Sequence, residues 1–126
     1  MPIDFSGIYR GRGLSISHVN GREQITNIEA DLVIEKIDHR NYRYTQHSSV
    51  NISPFRIHVV GVGQLDIDGK GLVVAAKEDV SPIINTFRVY PAGKSNKRLR
   101  IQHIFGEAAN YGVATFKFKR IDLKLK

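Results

Sequence analysis

Five histidines, His18, His39, His47, His58 and His103, are the most versatile chemical groups in this chain. Histidine titrates near neutrality and is a frequent ligand of transition metals. No two of the five stand in an H-x-H or H-x-x-x-H pair, so spacing puts no two on one strand face or helix turn. No metal is expected. Cysteine is absent, which excludes a Cys-based zinc site and a disulfide framework and leaves the redox compartment open. His103 stands apart, because Leu99 and Ile101 precede it at period two on a face that reads as core. Its plain reading is a hydrogen-bonded core histidine; a ligand contact or a general base is the sharper alternative.

The remaining groups suggest little catalysis. Asp66 and Asp68 flank a turn and read as turn formers rather than as an acid–base pair. Gly61-x-Gly63 and Gly69-x-Gly71 are followed by no helix, so they are not phosphate loops. They read as wall positions without side chains, giving curvature or interior room. There is no nucleophile elbow, no catalytic residue is assigned, and no cofactor is implied. The richest set is Tyr42, Tyr44, Gln46 and Ser48, every second residue of one stretch. Turned inward, these hydroxyls and the amide would need partners from the protein, water or a ligand. An apolar pocket with a few polar groups is the usual small-ligand site. Tyr9, Tyr42, Tyr44, Gln46 and His103 are therefore the candidate pocket. Two tyrosines that merely fill a small barrel and bond each other are the plain alternative.

Period-2 alternation supplies the elements that would hold such a pocket. Ala114, Phe116 and Phe118 face one way, Thr115, Lys117 and Lys119 the other. This last strand needs a neighbour, and pairing with the first, around Ile8 to Ile16, closes a barrel without free edges. The first strand alternates imperfectly: Tyr9, Gly11 and Gly13 share one parity, Leu14 and Ile16 the other. A bulge or bend at Gly11-Arg12-Gly13 is expected to reconcile them. Asn20-Gly21 signals a hairpin. Ile28, Ala30, Leu32 and Ile34 then alternate with Glu29, Asp31 and Glu35, and this outweighs a helix-prone composition from Ile28 to Ile37. Asp38-His39-Arg40-Asn41 is a turn, Tyr42 to Ser48 a strand, and Ser53-Pro54 a break. Phe55, Ile57, Val59, Gly61, Gly63, Leu65 and Ile67 line one face of the next strand, Phe55 to Ile67, and Asp68-Gly69 turns into Leu72–Ala76. Ser81-Pro82, Ile84 to Tyr90, the loop Pro91 to Lys97 and the strand from Arg98 complete the chain. The expected fold is all-β: an antiparallel up-and-down barrel of about eight strands, in a single domain over residues 1–126.

Phe5-Ser6-Gly7-Ile8-Tyr9 near the start and Phe116-Lys117-Phe118-Lys119-Arg120 at the end resemble the calycins, the lipocalin, fatty-acid-binding and avidin-like barrels. Gly7-Ile8-Tyr9 is similar to the lipocalin Gly-x-Trp opening, with Tyr in place of Trp. The resemblance implies that Arg120 packs over Tyr9 and that the barrel encloses a pocket for a small, mostly apolar ligand. Such a pocket could also host a cofactor-free isomerase-like or cyclase-like activity.

Net charge is +7, and all of it is located late. From Lys94 to Lys126 there are nine basic residues against Glu107 and Asp122, and the first 93 residues are neutral. Arg10, Arg12, Arg98, Arg100, Lys117 and Lys119 fall on the outward parity of three strands that become consecutive on closure. They are expected to form one basic wall, either a solvated strand surface or a contact for a polyanion or acidic protein. Nucleic acid is not favoured, because the phenylalanines of the last strand alternate away from its lysines and offer no stacking platform. Val60, Val62, Val73 and Ala75 make two strands apolar on both faces, which suggests a homo-oligomer buried through them. No charged and apolar leader opens the chain and no apolar run approaches the roughly 18 residues of a spanning helix, so a cytoplasmic protein without a membrane partner is expected. Asn51-Ile52-Ser53 then matches a glycosylation acceptor by chance.

Overall fold

Alternation governs every strand of the computed structural model, which describes residues 3–50, 56–66, 70–78, 84–93, 95–107 and 110–122. The strands are β1 (Gly7–Val19), β2 (Arg22–Lys36), β3 (Asn41–Val50), β4 (Arg56–Leu65), β5 (Leu72–Glu78), β6 (Ile84–Pro91), β7 (Arg98–Glu107) and β8 (Asn110–Arg120). They pair antiparallel in chain order, and β8 pairs back onto β1, closing the barrel. No helix occurs among the described residues; Ile28 to Lys36 lies in β2, where alternation prevails over composition. The breaks at Ser53-Pro54 and Ser81-Pro82, the ends Phe55 and Ile67 of the expected fourth strand, the turn Asp68-Gly69 and the acceptor match at Asn51 lie outside the described residues.

Local chemistry fixes the turns that are described. Asn20 and Gly21 both take positive φ, 49° and 80°, as a two-residue hairpin turn requires. Asp38 Oδ1 accepts hydrogen bonds from the backbone N–H groups of Arg40 and Asn41, both at 2.9 Å, and so caps the β2–β3 turn.

Following one cross-strand row around the wall gives the stagger. Lys36 pairs with Tyr42, then the row runs through Gly63, Val74, Phe87, His103, Ala114 and Ser15 to Thr26. The circuit returns to β2 ten residues from where it began, from position 36 to position 26. With about 3.3 Å per residue and about 4.8 Å between strands, that stagger tilts the strands by about 40°.

The expected bulge in β1 is absent. Its register runs unbroken from Gly7 to Val19 against β2, and from Tyr9 to Val19 against β8. Tyr9, Gly11, Gly13 and Ser15 keep the inward parity, while Leu14 and Ile16 point out and are exposed. The inward glycines have a specific reason. Gly13 pairs with Phe116 and Gly11 with Phe118, and a Cβ on Gly13 would come within 2.2 Å of the Phe116 ring. On Gly11 it would meet Phe118 ring carbon at 2.8 Å and the Lys117 carbonyl at 2.1 Å. Two buried rings thus lie directly on the β1 backbone.

Ile16 is apolar for another reason, because it joins an outer band, while Leu14 faces out between Asn27 and Thr115. Ile25, Ile16, Val113, Ile104, Thr86, Ala75 and Val62 are successive cross-strand neighbours on the outer surface, from β2 round to β4. Ile104 is 65% and Val62 53% exposed. Val60 and Ala75 are exposed too, and Val73 is half-buried.

The N-terminal segment closes one end of the barrel. Phe5 is fully buried, the Tyr9 hydroxyl donates to its carbonyl at 2.8 Å, and Asn96 Nδ2 donates to the carbonyls of Asp4 and Ser6.

If the ring–backbone contact governs the seam, its two halves are coupled. Phe116→Ala should cost about 3–5 kcal/mol, and Gly13→Ala about 1–3 kcal/mol through overpacking. In the Phe116→Ala background the Gly13→Ala penalty should largely disappear, read from a double-mutant cycle of urea unfolding; strict additivity would contradict the contact.

Candidate functional site

Large side chains crowd the end closed by Phe5. Tyr42 packs edge-on against Phe5, with ring centroids 6.0 Å apart and planes at 86°. Leu65, Leu72, Val89, Leu99 and Phe118 are buried with them. Further along β3 the interior changes character. Tyr44, Gln46 and Ser48 continue the inward face of Tyr42, carrying it about 20 Å in six residues. Several inward residues there are small, since Ala30 pairs with Ser48, Ala114 with Ser15, and Ala76 with Gly61, while Leu32 and Val59 flank Gln46.

A hydrogen-bonded ladder climbs β3. The Tyr44 hydroxyl donates to Gln46 Oε1 at 2.5 Å, and Gln46 Nε2 donates to Ser48 Oγ at 2.8 Å. All three residues are buried. Each interior polar atom so engaged avoids the penalty of a buried unpaired group. Among the described residues the ladder leaves the Ser48 hydroxyl proton and the second Gln46 N–H without an acceptor. Those two protons are what the interior offers an incoming acceptor.

Aromatic rings join the ladder to His103. Tyr44 and Phe87 lie 5.5 Å apart, centroid to centroid, and Phe87 stacks on His103 at 4.1 Å with planes 24° apart. Tyr44 is on β3 and Phe87 on β6, with two strands between them. They meet because the row beside Tyr44 holds Gly61 and Ala76, where an added Cβ on Gly61 would come within 2.6 Å of the Ala76 Cβ. Gly61 is therefore a thin place in the wall over which two rings reach each other.

Burial keeps these groups neutral. It pushes the Tyr44 hydroxyl far above the ordinary phenol range and lowers the His103 imidazole to about 4. Tyr9 is pushed up chiefly by burial, with Arg120 opposing, and Tyr42 also by burial. Neutral hydroxyls donate, and a neutral imidazole both donates and accepts.

The five pocket residues expected from sequence thus divide. Tyr44, Gln46 and His103 belong to one continuous set of contacts, while Tyr9 and Tyr42 hold the plug around Phe5. Arg120 is the cross-strand partner of Tyr9, and its guanidinium lies across Gly7 with Nε 2.6 Å from Asp122 Oδ1. Ser48, Ser15 and Phe87 join the site; Phe87 went unnoticed because only closure brings β6 to face β3.

The other histidines are scattered. His18 stacks on Tyr111 at 4.9 Å and has Nε2 3.5 Å from Glu23, and His39 sits exposed in the β2–β3 turn. His47 and His58 are cross-strand partners on the outer wall, stacked at 4.2 Å, a neighbourhood that sequence spacing could not reveal. Asp31, the partner of His47 on the other side, is held by Arg10 at 2.8 Å. Among the described residues no three His, Asp or Glu side chains gather as a metal site.

Among solved structures the chain is similar to EF1p2_mFAP2b bound to DFHBI, with a TM-score of 0.70 and 8% identity over 93% of this chain and 94% of that one. The likeness is one of fold. No family model and no curated protein sequence matches the chain.

His103 makes the site pH-sensitive in one direction. Unfolded, the imidazole takes up a proton near its ordinary value of 6.5; folded, only at about 4. The unfolded state binds more protons between those values, so stability falls as pH drops through the window. From pH 7 to about 4.5 the protein should lose about 2–3 kcal/mol that His103→Gln retains, read from urea midpoints.

Proposed function

We propose that this barrel binds a small, mostly apolar ligand carrying a hydrogen-bond acceptor. The ligand occupies the half of the interior between the Tyr44–Phe87–His103 rings and the rim opposite Phe5. The observation that carries the reading is the buried Tyr44–Gln46–Ser48 ladder, which leaves two protons undirected beside small side chains. A barrel selected only for stability gains little from such a ladder, since apolar residues of equal volume would fill the space without desolvating polar groups. Tyr44 and Phe87 would form an aromatic floor, and Ser48 and Gln46 would orient the acceptor. Supporting this reading, Gly7-Ile8-Tyr9 and the Arg120 opposite it resemble the calycin seam, and EF1p2_mFAP2b, of the same fold, was solved bound to DFHBI.

The test is native mass spectrometry of gently purified protein for a co-purifying small molecule. Its expected result is a ligand that the double variant Gln46→Leu, Ser48→Ala retains about tenfold less, on the scale of one or two hydrogen bonds. A wild-type protein that carries nothing, and takes up no apolar probe into its interior, would end the reading.

Self-association is proposed separately, through the outward face of β4 and β5. Val60, Val62 and Ala75 stay exposed after the barrel has closed, and Val62 lies on the apolar band. A second copy on this face would remove it from water. Light scattering should then show a dimer or larger closed assembly that Val62→Lys dissociates into folded barrels. A monomer at high micromolar concentration would reject it.

A further inference from the structure

The basic wall differs from its expected form in two respects. First, its β1 edge is neutralised. Arg10 holds Asp31 at 2.8 Å and Arg12 lies 3.8 Å from Glu29, so β2 supplies a carboxylate opposite each arginine. Among the described residues no acidic side chain comes within 4.0 Å of Arg88, Arg98, Arg100, Lys117 or Lys119. The uncompensated charge therefore centres on β6, β7 and β8.

Second, an aromatic ring lies among these charges. Tyr90 on β6 faces outward, is 40% exposed, and pairs with Arg100, which pairs in turn with Lys117. Arg88 shares its face two residues earlier. The ring rests against Gly71, where an added Cβ would sit 3.1 Å from it, so the backbone beneath supports it. The phenylalanines of β8 face the core, as their alternation requires; the stacking surface comes instead from β6.

We infer that the outer face of β6–β8 binds single-stranded nucleic acid. Arg98, Arg100, Lys117 and Lys119 form a block of two cross-strand pairs, about 5 Å apart across the strands and about 7 Å along them. Such a block can neutralise consecutive phosphates of an extended strand. Tyr90 at the end of the Arg100 row offers its ring to a base, and Gln102 and Thr115 between Arg88 and Lys117 add neutral hydrogen-bonding groups. Charge together with an exposed ring is what sequence-tolerant single-strand binding uses. Duplex is disfavoured, because a sheet wall presents no element that enters a groove. Glu29 and Asp31 bound the track on the β1 side.

The full chain is titrated against a fluorescent 20-nucleotide oligothymidylate, followed by anisotropy at about 50, 100 and 200 mM salt. For four phosphate contacts, the logarithm of affinity should fall against the logarithm of salt with a slope of about 3. Arg100→Glu with Lys117→Glu should weaken binding at least about tenfold at 100 mM salt and reduce the slope by about 1.4, two contacts' worth. Tyr90→Ala should weaken binding about fivefold or more and leave the slope unchanged, because stacking releases no counterions. Should the reversals disturb folding by circular dichroism, Arg100→Gln with Lys117→Gln provides the same comparison. An affinity indifferent to the reversals overturns the inference. So does a full response to charge with none to Tyr90, matched by equal binding of heparin or of anionic vesicles, which would mark a general polyanion surface.

Discussion

The contact on which this barrel rests is between two aromatic rings and a stretch of backbone. Phe116 and Phe118 lie on Gly13 and Gly11 at the seam where the last strand meets the first. Any side chain on those glycines would hold β1 and β8 apart, and without that pairing both strands become free edges. The seam also sets the stagger, because the ten-residue offset is completed only across β1 and β8. Tilt follows from stagger, and tilt decides which inward residues of distant strands share a level. That Tyr44 meets Phe87 across two intervening strands is thus a consequence of closure, whereas Phe87 and His103 are direct cross-strand partners.

Two kinds of glycine-scale economy divide the interior. At the seam the missing side chains are replaced by rings from the neighbouring strand. On β4 and β5, Gly61 and Ala76 let rings from β3 and β6 cross over them. One end is filled by Phe5, Tyr9 and Tyr42, and the polar ladder and small residues are left to the other. Neutral Tyr44 and neutral His103 suit such a place, since a charged group there would lack hydration.

Most of the fold was legible in the chain because alternation is a local property. The parities of Ala114–Phe118, Ile28–Ile34 and Tyr42–Ser48 each assign a face without knowledge of any neighbour, and Asn20-Gly21 announces its own turn. Reasoning failed where the cause of a residue lay on another strand. Leu14 and Ile16 read as a break in the alternation, because Ile16's outward partners Ile25 and Val113 become neighbours only after pairing, and Leu14 faces out between Asn27 and Thr115. Gly11 and Gly13 read as a bend when they are seats for rings. For the same reason parity assigns a face to each candidate pocket residue but not its depth in the barrel. Parity places Tyr9 and Tyr42 with Tyr44 and Gln46, and only the docked Phe5 shows that the first two belong to the plug. The stacked His47 and His58, eleven positions apart, are another cross-strand relation that no spacing rule sees.

Joining the two ends of the chain also imposes an order on folding. Pairings from β1 through β8 form between strands that are neighbours in sequence, but the closing ladder joins residues far apart in the chain, Tyr9 with Arg120. Loop-closure entropy makes such contacts late ones. During synthesis β1 must wait, its outer edge unpaired, until β8 has left the ribosome. The glycines that fit it to its eventual partner weaken it as a lone strand, having little side chain to hold an extended shape. A segment that templates poorly on its own is less able to capture another chain in that interval. The residues that make the seam tight when finished thus also protect it while it is open.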